Sequence, residues 1–213
     1  MIEISQNNLK EAAEYLAGIK DGMEKATSIA INRATIKTKT QMKKYVLKSY
    51  YIKQGDVGKT LSTKKATKNN PFSTITSKSP VLPLSKFKIS VAKEGVNAAV
   101  SKKRGYKVRK GAFIGNVREF FGGYWGRRSG KDKFIPDYSN EKSIRVFKRK
   151  KRTRLPLRAL HGASIPGMIG NETIIRALYN FAEKETSKNL STAVWNLLFD
   201  NQQRVAKKLG GFK

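Results

Sequence analysis

The positive charge of this chain is concentrated in its middle, and this uneven distribution limits what the chain can fold into. The formal net charge is +30; residues 36–120 carry +18 of it and residues 121–160 carry +10, whereas residues 1–35 carry −1 and residues 161–213 carry +3. A surface with so many like charges repels itself unless an acidic partner or a polyanion lies against it. The sequence therefore predicts two ordinary packed ends around a middle that needs an external partner.

The available residue types exclude several classes of site. The chain has no cysteine and one histidine, His161. A disulfide scaffold, a cysteine-based metal site and cysteine catalysis are therefore excluded. The sequence around His161 offers only Ser164 as a nucleophile, so we interpret His161 as a turn residue. The carboxylates form no metal-ligand pattern and the glycines no phosphate loop, so we expect no metal, no cofactor and no enzymatic activity.

The sequence shows no segment that would cross or reach a membrane. No apolar run approaches the roughly 18 residues that a bilayer-spanning helix needs. The first residues lack the basic start and apolar core of a secretory signal. We therefore expect a protein that is made inside the cell and has no membrane partner.

Helices are predicted at both ends of the chain. Apolar side chains recur at helical spacing over residues 7–20 and again over residues 22–49, where many small side chains indicate close packing against another element. Residues 171–209 return to helical spacing. Thr186 keeps that spacing in phase, so one long helix and two stacked helices are both possible.

Short strands are predicted between the helices. Residues 72–117 contain alternating runs separated by turns such as Glu94-Gly95, which predict an antiparallel β-meander. Residues 118–143 mix glycines, aromatics and cations and are typical of a long loop. Residues 144–160 predict a basic strand that ends in a Leu-Pro turn.

The order helix, meander, helix predicts an α+β fold as a single domain over residues 1–213. We expect a small antiparallel sheet of about four to five strands, flanked by N-terminal and C-terminal helices, with long basic loops. The chain shows no internal repeat and no clear linker.

The basic runs are the candidate contact residues. Lysine and arginine runs bind polyanions without reading a sequence, because each neutralised phosphate releases a counterion. The aromatic residues at 120–125 could stack on single-stranded bases, or they could pack under their loop or against a neighbouring subunit. The candidate contacts are Lys102, Lys103, Arg104, Lys107, Arg109, Lys110, Arg127, Arg128, Lys148, Arg149, Lys150, Lys151, Arg152 and Arg154.

The ordered set of these segments resembles the phage minor tail protein Z family, the tail completion proteins of tailed phages and related prophage particles. The resemblance covers most of the chain, from the Ala-Ile-Asn-Arg-Ala run at 30–34 to the terminal helix. It is most specific at the basic strand 146–149, the turn with Leu155 and Pro156, and the turn with Ser164 and Pro166. The insertion at 118–135 is less typical of the family.

The resemblance implies a structural protein of the virion tail or neck, assembled in the host cytoplasm. It implies a ring, for which we expect six copies, at the end of the tail tube that faces the head. The implied partners are further copies of the chain and the tube, terminator, sheath or connector subunits.

Two roles for the basic segments are open. They can be docking arms that pair with acidic surfaces of neighbouring subunits, or they can contact the DNA backbone in the channel. We favour docking, because a channel that must release DNA quickly gains nothing from many fixed positive charges. A free nucleic-acid-binding protein is the rival interpretation, and a nuclease would need a carboxylate–metal cluster that the sequence does not contain.

Overall fold

The computed structural model describes residues 21–116, 144–151 and 157–208, together with Glu14, Leu16 and Ile19. Beyond residue 203, only the backbone of the last helix is described. Most of the predicted helix 7–20 and the whole predicted loop 118–143 lie outside the described residues.

The described residues form the predicted α+β fold, with helices towards both ends of the chain and antiparallel strands between them. The helices are α1 (Gly22–Ser49), α2 (Gln54–Lys59), α3 (Ile165–Ile169) and α4 (Glu172–Lys208). The strands are β1 (Leu61–Lys64), β2 (Thr74–Ser77), β3 (Val81–Pro83), β4 (Lys88–Ala92), β5 (Gly95–Ala99), β6 (Lys107–Lys110), β7 (Ala112–Asn116), β8 (Ile144–Arg149), β9 (Leu157–Ala159) and β10 (His161–Ser164).

The strands are divided differently from the prediction of one sheet with four to five strands. Within the described residues, ten strands form four small sheets, ordered β1-β2, β10-β3, β4-β5-β6 and β7-β8-β9, and every pairing is antiparallel. Several strands are only three or four residues long, too short to show a clear alternation in the sequence.

The chain divides into two compact units. Unit 1 comprises Met1–Tyr45, Lys59–Ser77 and Ile169–Lys213, and unit 2 comprises Val46–Gly58 and Lys78–Met168. Unit 1 therefore contains most of α1, the β1-β2 sheet and α4, and unit 2 contains the other three sheets. The prediction of a single domain over residues 1–213 stays a prediction, because one domain can contain two compact units.

The core of unit 1 is built where α1 packs on α4. Ala26 and Ala30 of α1 are fully buried in one cluster with Leu190 and Ala193 of α4. Alanine at successive turns leaves a shallow groove on α1, so the larger side chains of α4 can fill it. The close packing predicted from the small residues of α1 is therefore present, and α4 is one continuous helix rather than two.

Polar contacts fix the positions of elements within unit 1. The side-chain amide of Asn32 donates to the Ala66 carbonyl at 2.9 Å and accepts from the Ala66 backbone N–H at 2.8 Å. Farther along α1, the Lys37 ammonium donates to the Glu185 carboxylate of α4 at 2.6 Å. Together with the alanine contacts, this pair shows that α1 and α4 run antiparallel.

The core of unit 2 lies under its short strands. Val96, Val146 and Phe147 are at most 2% exposed, and the Phe113 and Phe147 rings lie 6.2 Å apart between their centroids. Leu84, which precedes β4, is 1% exposed, and its backbone N–H donates to the Leu160 carbonyl at 3.0 Å. These contacts join β7 to β8 and join the segment between β3 and β4 to the residue between β9 and β10.

One predicted turn is a short helix. Ser164 precedes α3, and its hydroxyl accepts a hydrogen bond from the Gly167 backbone N–H at 3.2 Å. A serine that accepts from the third helical residue is a helix N-cap, and a proline such as Pro166 is tolerated in the first turn because the N–H that it lacks would have no acceptor within the helix. In the described part of the chain, no helix is long and apolar enough to cross a membrane.

The packing of α1 on α4 predicts a cost for a larger side chain at Ala30. Ala30→Leu should lower the free energy of unfolding by about 1–3 kcal/mol, because the groove has no room for the extra groups. Arg33→Leu, at an exposed position of the same helix, is the matched control and should change it by less than about 0.5 kcal/mol. Urea unfolding followed by circular dichroism measures both. Equal stability of the two variants would contradict the packing.

The Lys37–Glu185 pair predicts a pH-dependent contribution to stability. The hydrogen bond from Lys37 lowers the pKa of Glu185 below its ordinary value of 4.5. Glu185→Gln should therefore lower the free energy of unfolding by about 0.5–1 kcal/mol at pH 7. The stability of the native pair is complete above pH 4.5 and is lost as the pH falls through the lower folded-state pKa.

Urea unfolding of Glu185→Gln and the native chain between pH 2.5 and 7 checks this pH dependence. The two stability curves should converge at the acidic end. A difference that stays constant over the whole range would show that the carboxylate charge contributes nothing.

Candidate functional site

The first basic segment is held at the edge of the β4-β5-β6 sheet. Val96 and Ala98 of the middle strand are buried, and they lie opposite Arg109 and Lys107 of β6. Every residue of β6 is exposed. Pairing with a buried strand therefore fixes the β6 backbone in an extended row; the sequence predicted a meander over 72–117 but assigned no strand to these residues.

A glycine allows β6 to approach β5 closely. Gly95 has a φ of +150°, and a Cβ added there would lie 2.2 Å from the backbone oxygen of Arg109. Only glycine fits such a position without moving the neighbouring strand. The Gly111 N–H then donates to the Glu94 carbonyl at 2.8 Å, which closes the end of the same sheet.

The basic turn Lys102–Arg104 is attached to the end of α1. The Lys102 N–H donates to the Ser49 carbonyl at 2.9 Å, and the Tyr51 N–H donates to the Val100 carbonyl at 3.0 Å. The side chains of Lys102, Lys103 and Arg104 are exposed. The backbone of this turn is therefore fixed while its charges remain in solvent.

Two tyrosines hold part of this charge in place. The Lys88 ammonium lies 5.6 Å from the Tyr51 ring centroid and 5.7 Å from that of Tyr106, and Lys102 lies 5.5 Å from Tyr51. These are cation–π distances. A hydrogen bond with Tyr106 raises the pKa of Lys88 above 10.5, so Lys88 keeps its charge at neutral pH.

The second basic segment continues from β8. Val146 and Phe147 are buried in the core, whereas Lys148 and Arg149 at the end of the strand are exposed, as are the next two lysines. Lys148 lies directly opposite Arg158 of β9. Like charges at facing positions in a sheet are destabilising, so this pair favours an anionic partner.

A shallow pocket in unit 2 brings together cations from β6 and β9. Arg109 from β6 lines it with Arg158 of β9 and His161 of β10. Leu84, Ala159 and Leu160 complete the lining. Residues that are about 50 positions apart in sequence therefore lie around one cavity, whose volume is about 230 Å³.

We name the exposed cations of these elements the unit 2 basic surface, defined as Lys102–Arg104, Lys107–Lys110, Lys148–Lys151 and Arg158. It contains most of the candidate residues predicted from the sequence. Ser164 and Pro166 lie at the start of α3, close in sequence to the pocket. The predicted contacts Arg127, Arg128, Arg152 and Arg154, and the turn residues Leu155 and Pro156, lie outside the described residues.

Sequence reasoning missed Arg158, Lys88, Tyr51 and Tyr106, and it assigned His161 to a turn rather than to β10. Arg158 stands alone in the sequence between Leu157 and Ala159, so a search for basic runs does not select it. Its place beside the other cations follows only from the strand register, which puts it opposite Lys148. Among the residues that the structure describes, no group of three or more acidic or histidine side chains is arranged to hold a metal ion.

Comparison with known families identifies the chain. The family model of prophage minor tail protein Z matches residues 7–202. The chain belongs to this family. Neither a curated protein nor a solved structure shows significant similarity to it. The family makes the chain a structural component of a phage tail, and residues 7–202 include the unit 2 basic surface and the pocket.

The close approach of β5 and β6 predicts that Gly95→Ala displaces the basic strand. The new methyl group meets the Arg109 carbonyl, and we expect unit 2 to lose about 1–3 kcal/mol of stability. Gly55→Ala is the matched control: it lies on an exposed turn of α2 with nothing within 4 Å, and it should gain about 0.5–1 kcal/mol.

Hydrogen exchange at the β5 and β6 amides measures the effect on the sheet. Faster exchange is expected in Gly95→Ala only. Unchanged exchange in that variant would show that β6 is not held through Gly95.

Proposed function

We propose that this tail protein is a completion or terminator-type component that forms a ring at the head-proximal end of the tail. In this role it caps the tube and supports the joining of head and tail. The unit 2 basic surface is its docking surface for acidic faces of neighbouring tail subunits.

The observation that carries this proposal is the excess of positive over negative residues in unit 2. Unit 2 contains 26 Lys and Arg residues and 6 Asp and Glu residues, a net charge of +20, against +10 for unit 1. Two of the unit 2 carboxylates, Asp56 and Glu94, already pair with Lys86 and Lys110. The remaining positive charge is best neutralised by a partner outside the chain.

The rigid placement of these charges supports docking on a protein surface. The cations of β6 and β8 stand on paired strands over buried residues, and those of 102–104 stand on a turn bonded to α1. A fixed backbone loses little conformational entropy when its side chains meet a complementary surface, so it favours a defined partner geometry. A transient contact with moving DNA has no such geometric requirement.

The same charge bears on how a ring would form. A ring repeats one heterologous contact around a closed axis, so each copy adds its charge to that of its neighbours. Copies of such a basic chain repel each other in dilute solution. We therefore propose that the ring assembles on an acidic template at the end of the tube, in the host cytoplasm, rather than in free solution.

A second candidate function, sequence-independent nucleic-acid binding, is favoured by one observation. Tyr106 is 47% exposed and lies beside the charged Lys88. An exposed aromatic ring among cations is the arrangement that stacks on single-stranded bases. Binding of this kind would weaken steeply with salt, because it releases counterions.

Charge reversal tests the docking role. Changing Lys148, Arg149, Lys150 and Lys151 together to Glu should leave the chain folded, because all four side chains are exposed. Tail-joined particles should fall by more than about 10-fold, because like charges would then face each other across the interface. Electron microscopy and plaque counts of a phage that carries the variant measure the effect.

The matched control reverses four exposed lysines of unit 1, Lys44, Lys64, Lys65 and Lys184, and so changes the net charge equally. This control should assemble normally. Normal particles from the 148–151 variant would contradict the docking role. Normal particles together with lost DNA binding by that purified variant would support the second candidate function.

A further inference from the structure

We propose that the pocket lined by Arg109, Arg158 and His161 is a binding site for a carboxylate side chain carried by an extended acidic segment of a partner protein. The inference rests on the proposed docking function, which names neighbouring tail subunits as the partner proteins. It goes further in naming one site and one chemical group within the unit 2 basic surface.

The cations around the pocket are arranged to receive an anion. Arg109 and Arg158 come from different sheets, and His161 follows two residues after the end of β9. In the described part of the chain, no carboxylate lies within ion-pair distance of either arginine. Lys148, directly across the sheet from Arg158, adds a further like charge. An anion bound to Arg158 in the pocket would offset the repulsion between Arg158 and Lys148.

The side-chain types favour a planar, two-oxygen anion. A guanidinium group offers parallel N–H donors that match the two oxygens of a carboxylate. The imidazole of His161, on β10, also lines the pocket and can add a further hydrogen bond. The site therefore fits a glutamate or aspartate side chain better than a single-point anion.

The lining and size of the pocket favour a protein segment over nucleic acid. Leu84, Ala159 and Leu160 provide an apolar wall, and Leu84 is only 1% exposed. This wall suits the methylene stem of an acidic side chain and an apolar neighbour. The volume of about 230 Å³ lies below the roughly 300–1,000 Å³ of sites for drug-sized ligands, so the pocket has room for an acidic side chain together with a small neighbouring group. The phosphates of a duplex lie on a convex rod and meet protruding cations instead.

Binding of a small probe by the full-length chain tests the site. The probe is the tripeptide Leu-Glu-Leu, capped at both ends, and its matched partner is Leu-Gln-Leu. Nuclear magnetic resonance titration should show shifts at Arg158–His161 with the Glu peptide. The Gln peptide should bind at least about 10-fold more weakly, because hydrogen bonds to a charged group contribute about 1.5–3 kcal/mol.

Two double variants distinguish binding in the pocket from attraction by the overall positive charge of the chain. Arg109→Gln with Arg158→Gln should weaken the Glu peptide at least about 10-fold. Lys64→Gln with Lys65→Gln removes the same charge from exposed positions of unit 1 and should weaken it less than about 2-fold. Arg158→Lys keeps the charge and the fold but removes the parallel N–H donors of the guanidinium group, so it should also weaken binding.

Three results would overturn the inference. They are equal binding of the Glu and Gln peptides, equal weakening of binding by the two double variants, and tighter occupation of the same residues by a short DNA duplex than by the Glu peptide. None of these results would overturn the proposed docking function by itself. That function is tested separately by particle assembly with the 148–151 reversal.

Discussion

The buried faces of a few short strands hold the charges of unit 2 in fixed positions, and the proposed function depends on that constraint. Val96, Val146 and Phe147 are almost completely buried, and burial of such a side chain contributes about 1.5–3 kcal/mol. An exposed like-charge contact costs about 0.2–1 kcal/mol. The core therefore tolerates the repulsion between Lys148 and Arg158 and keeps both cations available to a partner.

The two units differ in what their residues do. In unit 1, alanine at successive turns of α1 brings α4 close, and Asn32 fixes the backbone at Ala66. Its carboxylates take part in the packing, as Glu185 does with Lys37. In unit 2, short strands support the unit 2 basic surface, and the residues of this unit account for most of the net charge of the chain. The helix packing described for unit 1 and the partner contact proposed for unit 2 therefore involve different parts of the chain.

Much of the fold could be predicted from residue spacing, and the failures have a common cause. The spacing of Ala26 and Ala30 identified α1, and the stripe around Thr186 identified α4, although only the structure showed that α4 is one helix. β6 was missed because all of its side chains are exposed, which removes the alternation that marks a half-buried strand. β9 and β10 were missed because they are too short to show a period.

The candidate site was predictable in composition but not in geometry. The basic runs that contain Arg109 and Lys148 are obvious in the sequence. Their relation to Arg158 and His161 depends on strand register and on the contact of different sheets, which a single sequence does not encode locally. His161 was assigned to a turn for the same reason.

The most direct test of the central claim is cryo-electron microscopy of assembled particles that contain this chain. The account predicts a ring of the chain at the head-proximal end of the tail tube, with the unit 2 basic surface against acidic faces of adjacent subunits. Absence of the chain from that end of the tube, or a basic surface turned towards the DNA channel, would contradict it.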